Sequence, residues 1–156
     1  MKLQTSTRLA IFAVLELTKR EGVQLSVADI GQKYGVSSHH LAKVMHVMGR
    51  AGLVRSIRGA GGGYQFVGNA RRTTLLDVVQ LFEDASALEQ DPGTADATPE
   101  GQALRKILGE IDKIAQATLG SVTIATMRKL VNRRGISDSA RSKVTMSRQR
   151  SQPRFR

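Results

Sequence analysis

The stretch from Ser26 to Val67 leaves the chain few ways to fold, because it holds two capped helical patterns, a short break between them, and two β-prone runs around a block of glycines. Ser26 precedes an apolar-periodic segment and has Asp29 three residues on, the spacing of a reciprocal cap, which predicts a short helix over Val27, Ile30 and Tyr34. Gly35 stops it. Ser37 supplies a second N-cap hydroxyl. The helix it opens, roughly Ser38 to Ala51, places Leu41, Val44, Met45 and Met48 on one face. On the other face His39, Lys43, His46 and Arg50 recur at i, i+4, i+7 and i+11. They form one polar stripe that can lie against a polyanion while the apolar stripe packs on the first helix. Gly52 follows as the residue after the C-cap.

Beyond Gly52, residues 53–58 and 64–67 are β-prone and flank Gly59-Ala60-Gly61-Gly62-Gly63, a hairpin with a glycine-rich tip. A nucleotide-binding loop would have to open a helix whose N-terminus receives the phosphates, and here a strand follows. Tyr64 also stands where the last glycine of a dinucleotide fingerprint would fall, and no Lys-Ser/Thr pair follows. A wing fits better. Arg55 and Arg58 flank a tip in which Gly61 and Gly62 offer no side chain to obstruct a groove or phosphate backbone. The reading is a mainly α fold: a winged helix-turn-helix with a small hairpin wing.

Charge is divided along the 156 residues. Residues 1–72 carry 11 Lys/Arg against 3 Asp/Glu, 73–127 carry 3 against 9, and 128–156 carry 10 against 1. A basic head on an acidic middle suits a protein that meets nucleic acid at one end and itself or a ligand at the other. With no Cys there are no disulfides, thiolate metal sites or Cys nucleophile. No apolar run approaches the roughly 20 residues of a membrane span, and no signal-peptide core opens the chain, so a cytoplasmic location is expected. All three His lie on the second helix of the motif without an orienting carboxylate, and no enzymatic reaction is expected.

Leu3 to Lys19 reads as a first helix, capped by Thr5 or Ser6 and apolar nearly all round, hence buried between the reading head and a partner segment. Glu21 to Gln24 is a connector. Thr74 and Asp77 repeat the capping box and open a helix through Phe82. An acidic, small-residue loop over 85–98 is followed by Thr98-Pro99, a strong helix start. Glu83, Asp84, Glu89, Asp91, Asp96 and Glu100 could offer oxygen to a hard cation. Their spacing matches no cation loop, and a solvated acidic loop is the reading adopted. From Pro99 onward Leu104, Ile107, Leu108, Ile111 and Ile114 form an aliphatic stripe read as a dimerisation seam, broken at Gly120 before a short helix over Ile124, Met127 and Leu130. The expected divisions are a winged head over 1–84, the acidic loop over 85–98, dimerisation helices over 99–131 and a disordered basic tail over 132–156. The tail is either a solubilising extension or a second, sequence-blind contact with DNA.

Tyr34-Gly35-Val36-Ser37, Leu41-Ala42-Lys43-Val44, Arg50-Ala51-Gly52-Leu53-Val54, the wing Arg58-Gly59-Ala60-Gly61-Gly62-Gly63-Tyr64 and Leu76-Asp77-Val78-Val79 together resemble the bacterial Rrf regulators typified by IscR and NsrR, over roughly residues 1–131. The resemblance implies a homodimeric transcription factor with a recognition helix in the major groove and a wing in the minor groove. In its iron–sulfur branch three cysteines sit in the loop after the fourth helix. Here they are absent, Arg8 stands where that branch can supply a ligand from the first helix, and no metal or other cofactor is expected. Ala42 replaces a glutamate that takes part in base choice in that branch, so the operator should differ.

Ser37, Ser38, His39 and His40 meet a duplex first, Ser37 as cap and phosphate contact and the other three at base edges. Lys43, Arg50, Arg55 and Arg58 serve phosphates or the minor groove. The expected function is a sequence-specific regulator, read as a repressor, with double-stranded DNA and a second copy as partners and an unknown small molecule or protein as effector. The alternative is a non-specific nucleic-acid or nucleoid-binding protein, which shares the charge but needs neither recognition helix nor seam.

Overall fold

A computed structural model describes residues 3–83 and 97–134. Helix α1 (Thr5–Leu17) is the centre of the head: Leu9, Ala10, Ile11, Ala13, Val14 and Leu17 are all buried. It packs against α3 (Ser38–Arg50), α4 (Leu75–Val79) and strand β3 (Gly63–Phe66) of the same chain. Its cap is neither Thr5 nor Ser6. Gln4 holds the N-cap position without a side-chain bond, and the carboxylate of Glu83 fills that role from the far end of the head.

Helix α2 (Val27–Tyr34) begins with the reciprocal Ser26–Asp29 cap and ends on Gly35 at φ 64°. Between it and α3, Ser37 Oγ accepts the N–H of His40 at 3.1 Å. Leu41, Val44, Met45 and Met48 bury the expected face of α3, which stops at Arg50 with Gly52 left-handed beyond the C-cap. Buried side chains from α1, α2, α3, β2 (Val54–Ile57) and α4 join Ile124 in a single core.

The sheet has one strand more than the hairpin anticipated. Strand β1 (Gln24–Leu25) lies where a connector was expected and pairs antiparallel with β3 (Gly63–Phe66), which pairs in turn with β2 (Val54–Ile57), giving the order β1-β3-β2. The partners Leu25↔Tyr64 and Ile57↔Gly63 set the register. Gly63 permits the third strand, because a Cβ there would lie 2.5 Å from the Leu25 carbonyl oxygen.

The Thr74–Asp77 box opens α4 as expected, but the helix ends at Val79 and Leu81 and Phe82 continue as a tighter turn, with N–H groups reaching back three residues. Helix α5 (Pro99–Ser121) is capped by Thr98 and runs straight through Gly120, ending where Val122 turns extended. Gly120 sits over Leu76 of α4. There the chain is clamped to the head: Thr74 bridges Thr123, Leu75 N–H donates to Val122 O at 2.8 Å, and Ile124 N–H donates to Thr73 O at 2.9 Å. A last helix, α6, covers 124–134, running past the Val131 limit to Arg134. Except for residues 97 and 98 the expected acidic loop lies outside the described residues, as does the expected tail from residue 135.

Candidate nucleic-acid interface

From Ile30 to Leu76 the sequence has no Asp or Glu and seven Lys or Arg. The fold gathers four of these cations on α3 and the wing. With the apolar face of α3 buried, Ser38, His39, Lys43, His46 and Arg50 are left exposed along its other side. Ser37 is exposed too, and its oxygen is already used as an acceptor by His40, so its hydroxyl proton is free to donate outward. His40, expected at a base edge, stands apart from this stripe. It is half-buried, and its Nε2 lies 3.2 Å from Ser6 Oγ on α1.

In the wing the Gly62 N–H donates to Gly59 O at 2.9 Å and closes the tip, with Gly59 and Gly61 at φ 105° and 75°. A side chain at Gly62 would bring a Cβ to 2.4 Å from Ile57 O. Arg58 stands exposed beside this bare tip. Arg55, three residues earlier and inside β2, is held by its cross-strand neighbour: Nε and one terminal nitrogen donate to Gln65 Oε1 at 3.0 and 2.7 Å. Nothing in the local sequence marks this pairing. It follows from register, which turns both side chains to one face of the sheet.

Helix α2 is tied to α1 through a buried carboxylate that the sequence shows only as a lone Glu in an apolar helix. Glu16 pairs with Lys19 at 2.5 Å and with Lys33 of α2, and accepts the Tyr34 hydroxyl at 2.7 Å. The Tyr34 ring stacks on Phe12, centroids 4.9 Å apart, and carries the Lys33 ammonium over its face. Burial alone would raise the Glu16 pKa, but the hydrogen bonds from Lys19, Lys33 and Tyr34 outweigh it and bring the carboxyl down to about 2. Burial and the bond to Glu16 push the Tyr34 phenol up to about 12.

Helix α5 has no buried residue at all. Leu104, Ile107, Leu108, Ile111 and Ile114 are 42–66% exposed, one aliphatic stripe facing away from the core.

This order of capped helices, recognition-type helix and wing is matched by the Rrf2 family profile, described as an iron-dependent transcriptional regulator, over residues 3–129. The chain belongs to the Rrf2 family. BadM of Rhodopseudomonas palustris, by name an HTH-type transcriptional regulator, is 46% identical over 132 residues, 85% of this chain and 84% of that protein. The structure of CymR, the global cysteine regulator of B. subtilis, superposes with a TM-score of 0.69 at 27% identity, covering 83% of this chain and 98% of CymR. IscR of T. potens gives 0.68 at 25% identity, over 84% and 88%. The fold is thus a winged-helix regulator fold.

Iron is part of the family's description, and the donor set here does not fit a thiolate-held cluster. The chain contains no Cys, and among the described residues no three His, Asp or Glu side chains gather in a group that could hold a metal ion. No helix among them is long and apolar enough to cross a membrane.

Proposed function

We infer that the chain is a sequence-specific DNA-binding transcriptional repressor that acts as a homodimer without a cysteine-ligated iron–sulfur cluster. The observation that carries this reading is the acid-free surface of α3 and the wing, where a polar helix stripe and a bare, cation-flanked hairpin tip are presented on one rigid head. Helix α3 enters the major groove with Ser37, Ser38 and His39 leading, and the wing carries Arg58 to the minor groove. Lys43, Arg50 and Arg55 neutralise phosphates and fix orientation. The exposed stripe of α5 pairs with its counterpart in a second copy, holding two heads about one helical turn of DNA, ~34 Å, apart. An effector then acts by favouring one spacing of the heads over another.

The test is selection of bound fragments from genomic DNA, followed by titration of the best fragment and of random duplex over a range of salt. A specific regulator binds the selected duplex at least about 1000-fold more tightly. A ratio near one would replace this reading with that of a non-specific nucleoid protein.

A further inference from the structure

The N-terminus of α1 is tied at two points to elements far away in sequence. Glu83, just past α4, accepts the Gln4 N–H at 2.8 Å and the hydroxyl of Thr7 through the same Oε1, and Thr7 is fully buried. A carboxylate suits that position, since the first turn of a helix presents unpaired N–H groups and the positive end of its dipole. In the same turn Ser6 Oγ meets His40 Nε2 at 3.2 Å. His40 is therefore anchored twice, by its ring to α1 and by its backbone N–H to Ser37 Oγ on the DNA-facing cap.

Resting on the assignment of α3 as the recognition helix, we propose that Glu83, Ser6 and His40 form a strut that sets the pose of the first turn of α3. In this arrangement they are positioning residues. Glu83 keeps the first turn of α1 wound, the wound turn holds Ser6 in reach of His40, and the bond fixes the ring so that Nδ1 is the nitrogen left for an outside partner. Loss of any one of these contacts loosens the first turn of α3. Lys43 and Arg58 stand elsewhere on the surface, so the attraction for phosphates survives. What is lost is discrimination between sequences.

The experiment uses the full chain, its selected duplex and a random duplex. Ser6→Ala, His40→Ala and Glu83→Ala should each lower the ratio of selected to random affinity about tenfold, the size of one lost base-edge contact. For Ser6→Ala and Glu83→Ala, affinity for random duplex and its salt slope should stay at the wild-type values. Glu83→Gln keeps the acceptor oxygen and should restore the ratio. The Ser6→Ala/His40→Ala double variant should lose no more than the worse single one, because both cut the same bond. If Ser6→Ala and Glu83→Ala keep the wild-type ratio, or if the double variant loses the product of the two single losses, the strut is refuted. Should Glu83→Ala fail to fold, the Ser6–His40 cycle decides alone. A wild-type chain that does not distinguish selected from random duplex overturns the recognition-helix assignment itself, and the strut with it.

Discussion

Ile111→Asp puts the pairing of α5 to its most direct test. Ile111 is 55% exposed in the single chain, so the substitution removes nothing from the core of the head. Full burial of an Ile or Leu side chain stabilises by about 1.5–3 kcal/mol, and the seam residues have roughly half of that still to gain, about 1 kcal/mol each. Ten such side chains across a symmetric pair supply about 10 kcal/mol before the losses of translational and rotational freedom. Aspartate at 111 forfeits about 1 kcal/mol per copy and adds an uncompensated carboxylate that costs about 3–5 kcal/mol if it stays buried. The two apolar losses and a single buried carboxylate together come to about 5 kcal/mol, which raises the dimer dissociation constant about 5000-fold. Ile111→Ala loses only the apolar part from both copies, about 2 kcal/mol, and should raise it about 30-fold. Sedimentation equilibrium from nanomolar to high micromolar protein measures both, with circular dichroism confirming that the head still folds. Operator affinity should fall in step with the dimer fraction. A wild-type monomer at all concentrations, or an Asp variant whose dissociation constant stays within about threefold of wild type, would refute the reasoning.

Lys43→Ala and Arg58→Ala should weaken binding to every duplex and lower the slope of log affinity against log salt by about one each, whereas Ser38→Ala and His39→Ala should relax sequence preference; uniform losses from all four would contradict these roles. Glu16→Gln should cost about 1–2 kcal/mol in urea melts at pH 7: the full tightening is about 3 kcal/mol, discounted because the Lys19 and Lys33 side chains are 53% and 47% exposed. The Glu16 pKa is lower in the folded chain, so its contribution is complete above the ordinary value of 4.5 and disappears as pH falls toward about 2; the gap between wild type and variant should close over that window. Gly62→Ala should weaken binding of all duplexes with little change in melting, since the new Cβ can escape the Ile57 carbonyl only by opening the wing tip, and unchanged affinity would show that the tip does not touch DNA. Protein isolated without oxygen should be colourless, free of stoichiometric iron and sulfide, and indifferent to nitric oxide or peroxide in operator binding, with metal and sulfide analysis beside the visible spectrum as the check.

Features decided within one turn of helix were legible in the sequence. The Ser26–Asp29 and Thr74–Asp77 boxes, the Thr98-Pro99 start and the buried stripe of α3 each depend on residues three or four apart, and each stands where the spacing placed it. Features decided across the chain were not. Strand β1 has two residues and exists because Gly63 lets Leu25 approach, a relation between positions far apart in sequence. The cap of α1 comes from Glu83, so local inspection of Thr5 and Ser6 could not find it. Gly120 has the intrinsic preference of a helix breaker, but continuation of α5 over Leu76 overrides it. At the interface the exposed stripe was readable from period alone, while the tether of His40 to Ser6 and the grip of Gln65 on Arg55 required the tertiary arrangement.

The clamp between Thr74 and Thr123 makes α5 a lever. Its 23 residues form a rod of about 34 Å whose C-terminal end is fastened to the head by the bridge, the flanking backbone bonds and the packing of Gly120 on Leu76. A swing of about 5° at such a fulcrum carries the far tip about 3 Å, close to the rise of one base pair. In the proposed dimer, the accuracy with which two heads are spaced therefore rests on a handful of backbone hydrogen bonds around residues 73–75 and 122–124.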